Sequence, residues 1–207
     1  TRPAKRHETR DYSPLGGRTG HRFTLLVLKS PMPTIRPSRD DDLDVITRIY
    51  GHHVLHGTGT FETTPPSLSD MTTRRADVLS KGLPWLVVED GGQVLGFAYG
   101  NWFKPRPAYR FSVEDSIYMD PAAHGKGLGR ALLTELMAAL ERGGVRKVMA
   151  VIGDSANAGS IGVHKALGFE TVGVVQSCGW KFDRWLDIVL MQKTLGAGDT
   201  TPPESAT

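Results

Sequence analysis

Three glycines in five residues, Gly125, Gly127 and Gly129, separate two segments of different periodicity. Before them, "RFSVEDSIYMD" (110–120) alternates as a strand does, and Pro121, with no N–H to give a ladder, ends it. After them, Leu128, Leu132, Leu136 and Leu140 recur at helical spacing until Gly143-Gly144 stops the run. A strand, a glycine turn and a helix N-terminus together form an anion site, because successive amides and the positive end of the helix dipole converge there.

Two nucleotide readings fail on spacing. A P-loop places a hydroxyl residue directly after its lysine, whereas Lys126 is followed by Gly127. A dinucleotide fingerprint reads G-x-G-x-x-G near the first βαβ unit. Here the spacing is G-x-G-x-G, it follows four predicted strands, and no acidic residue ends a second parallel strand. A phosphate carrier held by amides remains, or a tight strand–helix connection without a ligand.

Around this turn, strands are expected near Thr34–Arg36, on both sides of Gly91-Gly92, over 147–152, and over "FETVGVVQSC" and "WLDIVLMQK" flanking a turn "GWKFDR". Helices are expected after the polar Ser38/Asp40–Asp42 cluster, over Leu68–Leu79, after the glycine turn, and over 157–169, where Gly168 closes the last one. The order β-α-α-β-β-β-α-β-α-β-β gives one mixed α/β domain over residues 34–195. Residues 1–33 carry seven Lys/Arg against two acids, so the rest of the chain sums to −2 although the whole carries +3. The basic character belongs to that N-terminal extension, expected to be non-native or disordered with Met32 as the start, and it gives no support to nucleic-acid binding. Residues 196–207 read as a disordered tail. No apolar run approaches the roughly 20 residues that span a bilayer. The single cysteine, Cys178, excludes an intramolecular disulfide and fits a reducing, cytoplasmic setting.

Ile117-Tyr118-Met119 ahead of Pro121, the run Gly125-x-Gly127-x-Gly129, and Asn157-x-x-Ser160-x-x-x-His164-x-x-x-Gly168-Phe169 together resemble the signature of the GCN5-related N-acetyltransferase (GNAT) superfamily. The resemblance runs from about Thr34 to Leu195. "TGTFETTP" (58–65) and "GWKFDRWLDIVLMQ" (179–192) lie outside that signature and are similar to the phosphinothricin and methionine sulfone/sulfoximine acetyltransferase group. One departure is visible: His124 stands where the family usually has Gln or Arg.

The resemblance implies a mostly antiparallel mixed sheet flanked by helices, acetyl-CoA as co-substrate, no metal, and a homodimer whose last strands help close the site. Its cofactor residues fall on Tyr118, Met119, His124, Gly125, Lys126, Gly127, Leu128, Gly129, Arg130, Asn157 and Ser160. The pyrophosphate is expected on the amides of 124–129, where a Cβ at Gly127 or Gly129 would meet it or force a strained dihedral. A backbone N–H near Met119 is expected to face the thioester oxygen. Glu114 matches the family's catalytic glutamate, which removes the ammonium proton before attack. Strand alternation puts Glu114 and Ser116 on one face and Asp115 on the other, as a local control. His164, one helical turn from Ser160, is an acid, an auxiliary base or a buried structural histidine. Phe61, Lys104, Arg106 and Tyr109 match the group's amino-acid pocket. The His52/His56 pair has metal spacing but no nearby carboxylate. Other amine or peptide acceptors, and an acyl-CoA-binding regulator without catalysis, are the alternatives to a small amino-acid analogue.

Overall fold

The computed structural model describes residues 32–203, so the expected N-terminal extension, apart from its last residues, lies outside the described residues. The chain runs β1 (Thr34–Pro37), α1 (Leu43–His56), α2 (Leu68–Ser80), β2 (Trp85–Asp90), β3 (Gln93–Trp102), β4 (Ser112–Met119), α3 (Leu128–Arg142), β5 (Lys147–Gly153), α4 (Ala158–Ala166), β6 (Glu170–Lys181) and β7 (Arg184–Thr194). The seven strands form one sheet in the order β1-β2-β3-β4-β5-β7-β6. Its one parallel pair is β4·β5, joined through α3, so the sheet is mixed and mostly antiparallel, as expected.

Alternation along β4 sorts the two faces. Tyr118 packs edge-on against Tyr50 of α1, and Val113 lies with Leu140 of α3 beside Gly100. The leucine face of α3 is buried without remainder: Leu132, Leu133, Leu136 and Leu140 are fully enclosed. Burying each such side chain contributes roughly 1.5–3 kcal/mol, which anchors the helix that begins at the glycine turn. Among the described residues, no helix is long and apolar enough to cross a membrane.

The last hairpin differs from expectation. Gly179, Trp180 and Lys181 continue β6, and the turn is Phe182-Asp183 alone, both with φ near +54°. The turn lies inside the expected 179–184 segment but is tighter: two-residue hairpins favour left-handed central residues such as Asn, Asp or Gly, and of these only Asp183 is present. Within the expected tail, Gly198 and Thr200 close turns on Leu195 and Ala197, and the Arg146 guanidinium donates to the Gly198 carbonyl.

Candidate active site

The site exists because β4 and β5 part company. Their pairing stops at Asp115–Ala150, yet β4 continues to Met119 and β5 to Gly153. The unpaired halves border a cavity of about 950 Å3 whose floor reaches from the glycine turn to α4. At the mouth of the gap the Met119 carbonyl accepts a hydrogen bond from His53 Nε2 at 2.8 Å, while the next N–H, of Asp120, goes to Leu95 of the β3 side. A strand residue sends its N–H and C=O to the same side, so the Met119 N–H also faces the gap. Burial pushes the His53 imidazole down, consistent with a neutral ring that donates to that carbonyl.

The glycine turn is built as a backbone cradle. Gly125 (φ 76°) and Gly127 (φ 75°) are left-handed, and Gly127 is the N-cap of α3. A side chain at either would strain the backbone, since left-handed dihedrals cost L-residues roughly 1–2 kcal/mol. Gly129 differs from expectation on one count: it is helical, and a Cβ there would meet the Met119 and Ile117 side chains at ordinary distance. Among the expected cofactor residues, His124, Arg130, Asn157 and Ser160 line the cavity with Tyr118, Met119 and Leu128, whereas the exposed Lys126 does not. Asn157 does both things its position allows. Its side chain caps α4 by accepting from the Ser160 N–H, and it borders the cavity.

Glu114 and Asp115 stand at the fork itself, and their surroundings separate them. Glu114 is half-buried on the cavity wall, and burial first, then the Asp115 carboxylate, pushes its carboxyl up; the Lys104 ammonium acts the other way. Asp115 is buried on the opposite face, where its Oδ2 lies 3.0 Å from His164 Nε2. His164 is itself only 2% exposed, and its Nδ1 lies 2.7 Å from the Ser160 carbonyl. Asp115, expected as an inert control, is therefore the direct partner of the candidate histidine.

The far side of the cavity is made of side chains that no local spacing announces. Residues 57–61 cross it, with the Phe61 ring against Gly179 and the Thr58 carbonyl against Gly153, where a Cβ on either glycine would collide. The ammonium of Lys181, 4% exposed, donates to the carbonyls of Gly57 and Thr60 at 2.8 Å each. The Tyr50 hydroxyl lies 3.0 Å from Thr60 Oγ1 and donates to Glu62, which also takes two bonds from Arg74. Burial pushes the Lys181 ammonium down, with Glu62 opposing. Lys104, Arg106 and Tyr109 lie instead on the β3–β4 loop outside the cavity wall, the first two exposed. Among the described residues, no group of three His, Cys, Asp or Glu side chains is placed to hold a metal ion.

Comparison with known proteins meets this geometry. The family model described as Acetyltransferase (GNAT) family matches residues 53–169. The chain is 53% identical to the phosphinothricin N-acetyltransferase of Alcaligenes faecalis, over 83% of this chain and 87% of that protein. It is 38% identical to the L-methionine sulfoximine/L-methionine sulfone acetyltransferase of Pseudomonas aeruginosa, over 82% of this chain and 98% of that protein. Among solved structures, a GNAT superfamily phosphinothricin acetyltransferase from Sinorhizobium meliloti, in complex with AcCoA, superposes with a TM-score of 0.82 at 44% identity, covering 84% of this chain and 95% of that one.

Proposed function

Because the chain belongs to the acetyltransferase (GNAT) family, we propose that it transfers the acetyl group of acetyl-CoA to the α-amine of a small amino-acid analogue of the phosphinothricin, methionine sulfoximine or methionine sulfone type. When bound, acetyl-CoA supplies an acyl group already activated as a thioester. The residues fit such a donor. Two left-handed glycines present the turn's amides at a helix N-terminus, suited to a pyrophosphate, and Asn157 and Ser160 border the gap along which a pantetheine arm would lie. The Met119 N–H, turned into the gap, is our choice for the donor to the thioester oxygen as negative charge develops there.

One observation carries the reaction type: a carboxylate raised by burial, on the cavity wall, at the vertex of the β4–β5 fork. An α-ammonium is no nucleophile, so Glu114 takes its proton, directly or through water, before attack. A carboxyl pushed toward the working pH is better matched to that task than an ordinary one. Phe61 packs as one wall of the acceptor pocket. Lys104, Arg106 and Tyr109 remain our proposal for the acceptor's acidic group, supported by the electrostatic reach of Lys104 to Glu114.

We also propose a homodimer. The edge strand β6 is exposed along nearly its whole length, and Val172, Val174, Trp180, Phe182 and Trp185 present apolar surface there. The exposed, unpaired Cys178 supports a cytoplasmic setting. Thiol release with phosphinothricin, methionine sulfoximine and methionine sulfone, beside a panel of polyamines, aminoglycosides and peptides, tests the substrate class. Turnover confined to the first three is expected; turnover only elsewhere in the panel overturns the assignment.

A further inference from the structure

The two nitrogens of His164 both face oxygen acceptors. Nδ1 meets a backbone carbonyl, that of Ser160, and a carbonyl only accepts, so Nδ1 carries a proton. Nε2 meets Asp115 Oδ2. That contact requires one more proton, either on Nε2 or on the carboxyl. An imidazole is more basic than a carboxylate by between two and three pK units, about 6.5 against about 3.9, so the proton belongs on the ring. The carboxylate needs it there: Asp115 is buried, and its Oδ1 has no hydrogen-bond partner among the described residues. A buried anion left without a cation costs several kcal/mol.

We propose that Asp115 is a positioning residue that holds His164 as a buried imidazolium, so that the pair keeps a proton beneath the cavity and His164 has no lone pair with which to act as a base. The kinetic part of this inference rests on the reading of Glu114 as the base; the protonation state does not. Of the three roles open to His164 in the sequence, the base role is removed, and any part it takes in proton transfer is as a donor.

The surroundings agree. On β4 the neighbouring carboxylate is Glu114, on the opposite face. On α4 the polar neighbour is Ser160, whose Oγ lies 3.5 Å from Nδ1, while Lys165 is exposed. The Phe169 ring covers the imidazole edge-on with centroids 4.9 Å apart, and the facing part of β5 is apolar at Ala150 and Ile152. Burial alone pushes the imidazole down; the hydrogen bond and charge of Asp115, together with the Ser160 carbonyl, more than reverse it, and the net shift is upward. Asp115 thus satisfies its charge through His164, and Glu114 is left without a compensating partner of that kind.

The test is a pH titration of the histidine ring nitrogens by 15N NMR on the full chain, with His164→Gln to assign the signal. In the unsubstituted protein, His164 is expected to keep both ring protons to a pH above the ordinary imidazole value of ~6.5. In Asp115→Asn it is expected to become singly protonated at neutral pH, Nδ1 retaining its proton for the Ser160 carbonyl. If His164 of the unsubstituted protein titrates at or below the ordinary value, or if Asp115→Asn keeps both protons at neutral pH, the proposal is overturned. The first reading needs no substrate, so it stands apart from the acetyl-transfer reading. In the pH dependence of kcat, a basic group that Asp115→Asn shifts and Glu114→Gln leaves in place would show His164 acting as a base and would equally overturn it.

Discussion

The two sides of the cavity are built by opposite means. The glycine-turn side uses backbone: two left-handed glycines, a helix start, and a strand half whose amides have lost their partner strand. The facing side uses side chains from distant segments, with Lys181 bonding to carbonyls 124 and 121 residues earlier in the chain. A backbone cradle recognises what phosphates share, whereas a wall of packed side chains can be reshaped for one acceptor. On the proposed function, the donor belongs to the first side and selectivity to the second, with Glu114 at their junction.

The comparison breaks most visibly at that junction. Glu114→Gln is expected to lower kcat by about 10²–10⁴-fold, the usual range for a positioned base, with little change in either KM. Lys181→Met leaves the buried Thr60 carbonyl and the part-buried Gly57 carbonyl without this donor, the first costing about 1–3 kcal/mol. It is expected to raise the acceptor KM and lower Tm while the acetyl-CoA KM holds. Gly127→Ala is the mirror experiment. Strain of roughly 1–2 kcal/mol at its left-handed dihedral should raise the acetyl-CoA KM by about 5- to 30-fold and leave the acceptor KM unchanged. If either substitution moves both KM values equally, the division of labour is wrong.

The smallest effect concerns stability. Because the Glu114 carboxyl is raised in the fold, its favourable contribution is present below the unfolded value, about 4.3, and is lost as pH rises through the raised one. Ionised Glu114 therefore destabilises the protein near neutrality. Thermal melts of Glu114→Gln should show a higher Tm than the unsubstituted protein at pH 7, and the gain should vanish at pH 4.

Legibility in the sequence follows the same division. The element order and the glycine-turn side of the cavity depend on spacings within one strand, one turn or one helix, and their geometry reads directly: the leucines of α3, Gly125 and Gly127, and Asn157 with Ser160 and His164 on α4. The alternation of β4 also gave the correct faces for Glu114 and Asp115, but not that Asp115 meets a helix 49 residues away. Nothing local marks Lys181, Tyr50, Thr60 or Arg74, because their partners are chosen by the tertiary fold. The last turn is legible in place but not in extent: the expected 179–184 segment contains Phe182-Asp183, and the sheet pairing of Lys181 with Arg184 narrows it to those two left-handed residues.

The central claim is that Glu114 at the β4–β5 fork removes the proton from an α-amine. The pH–rate profile of thiol release, with saturating acetyl-CoA and phosphinothricin as acceptor, tests it most directly. The account predicts an acid limb above the ordinary carboxylate range that disappears in Glu114→Gln, leaving a residual rate that tracks only deprotonation of the amine. The same acid limb in both proteins would contradict it.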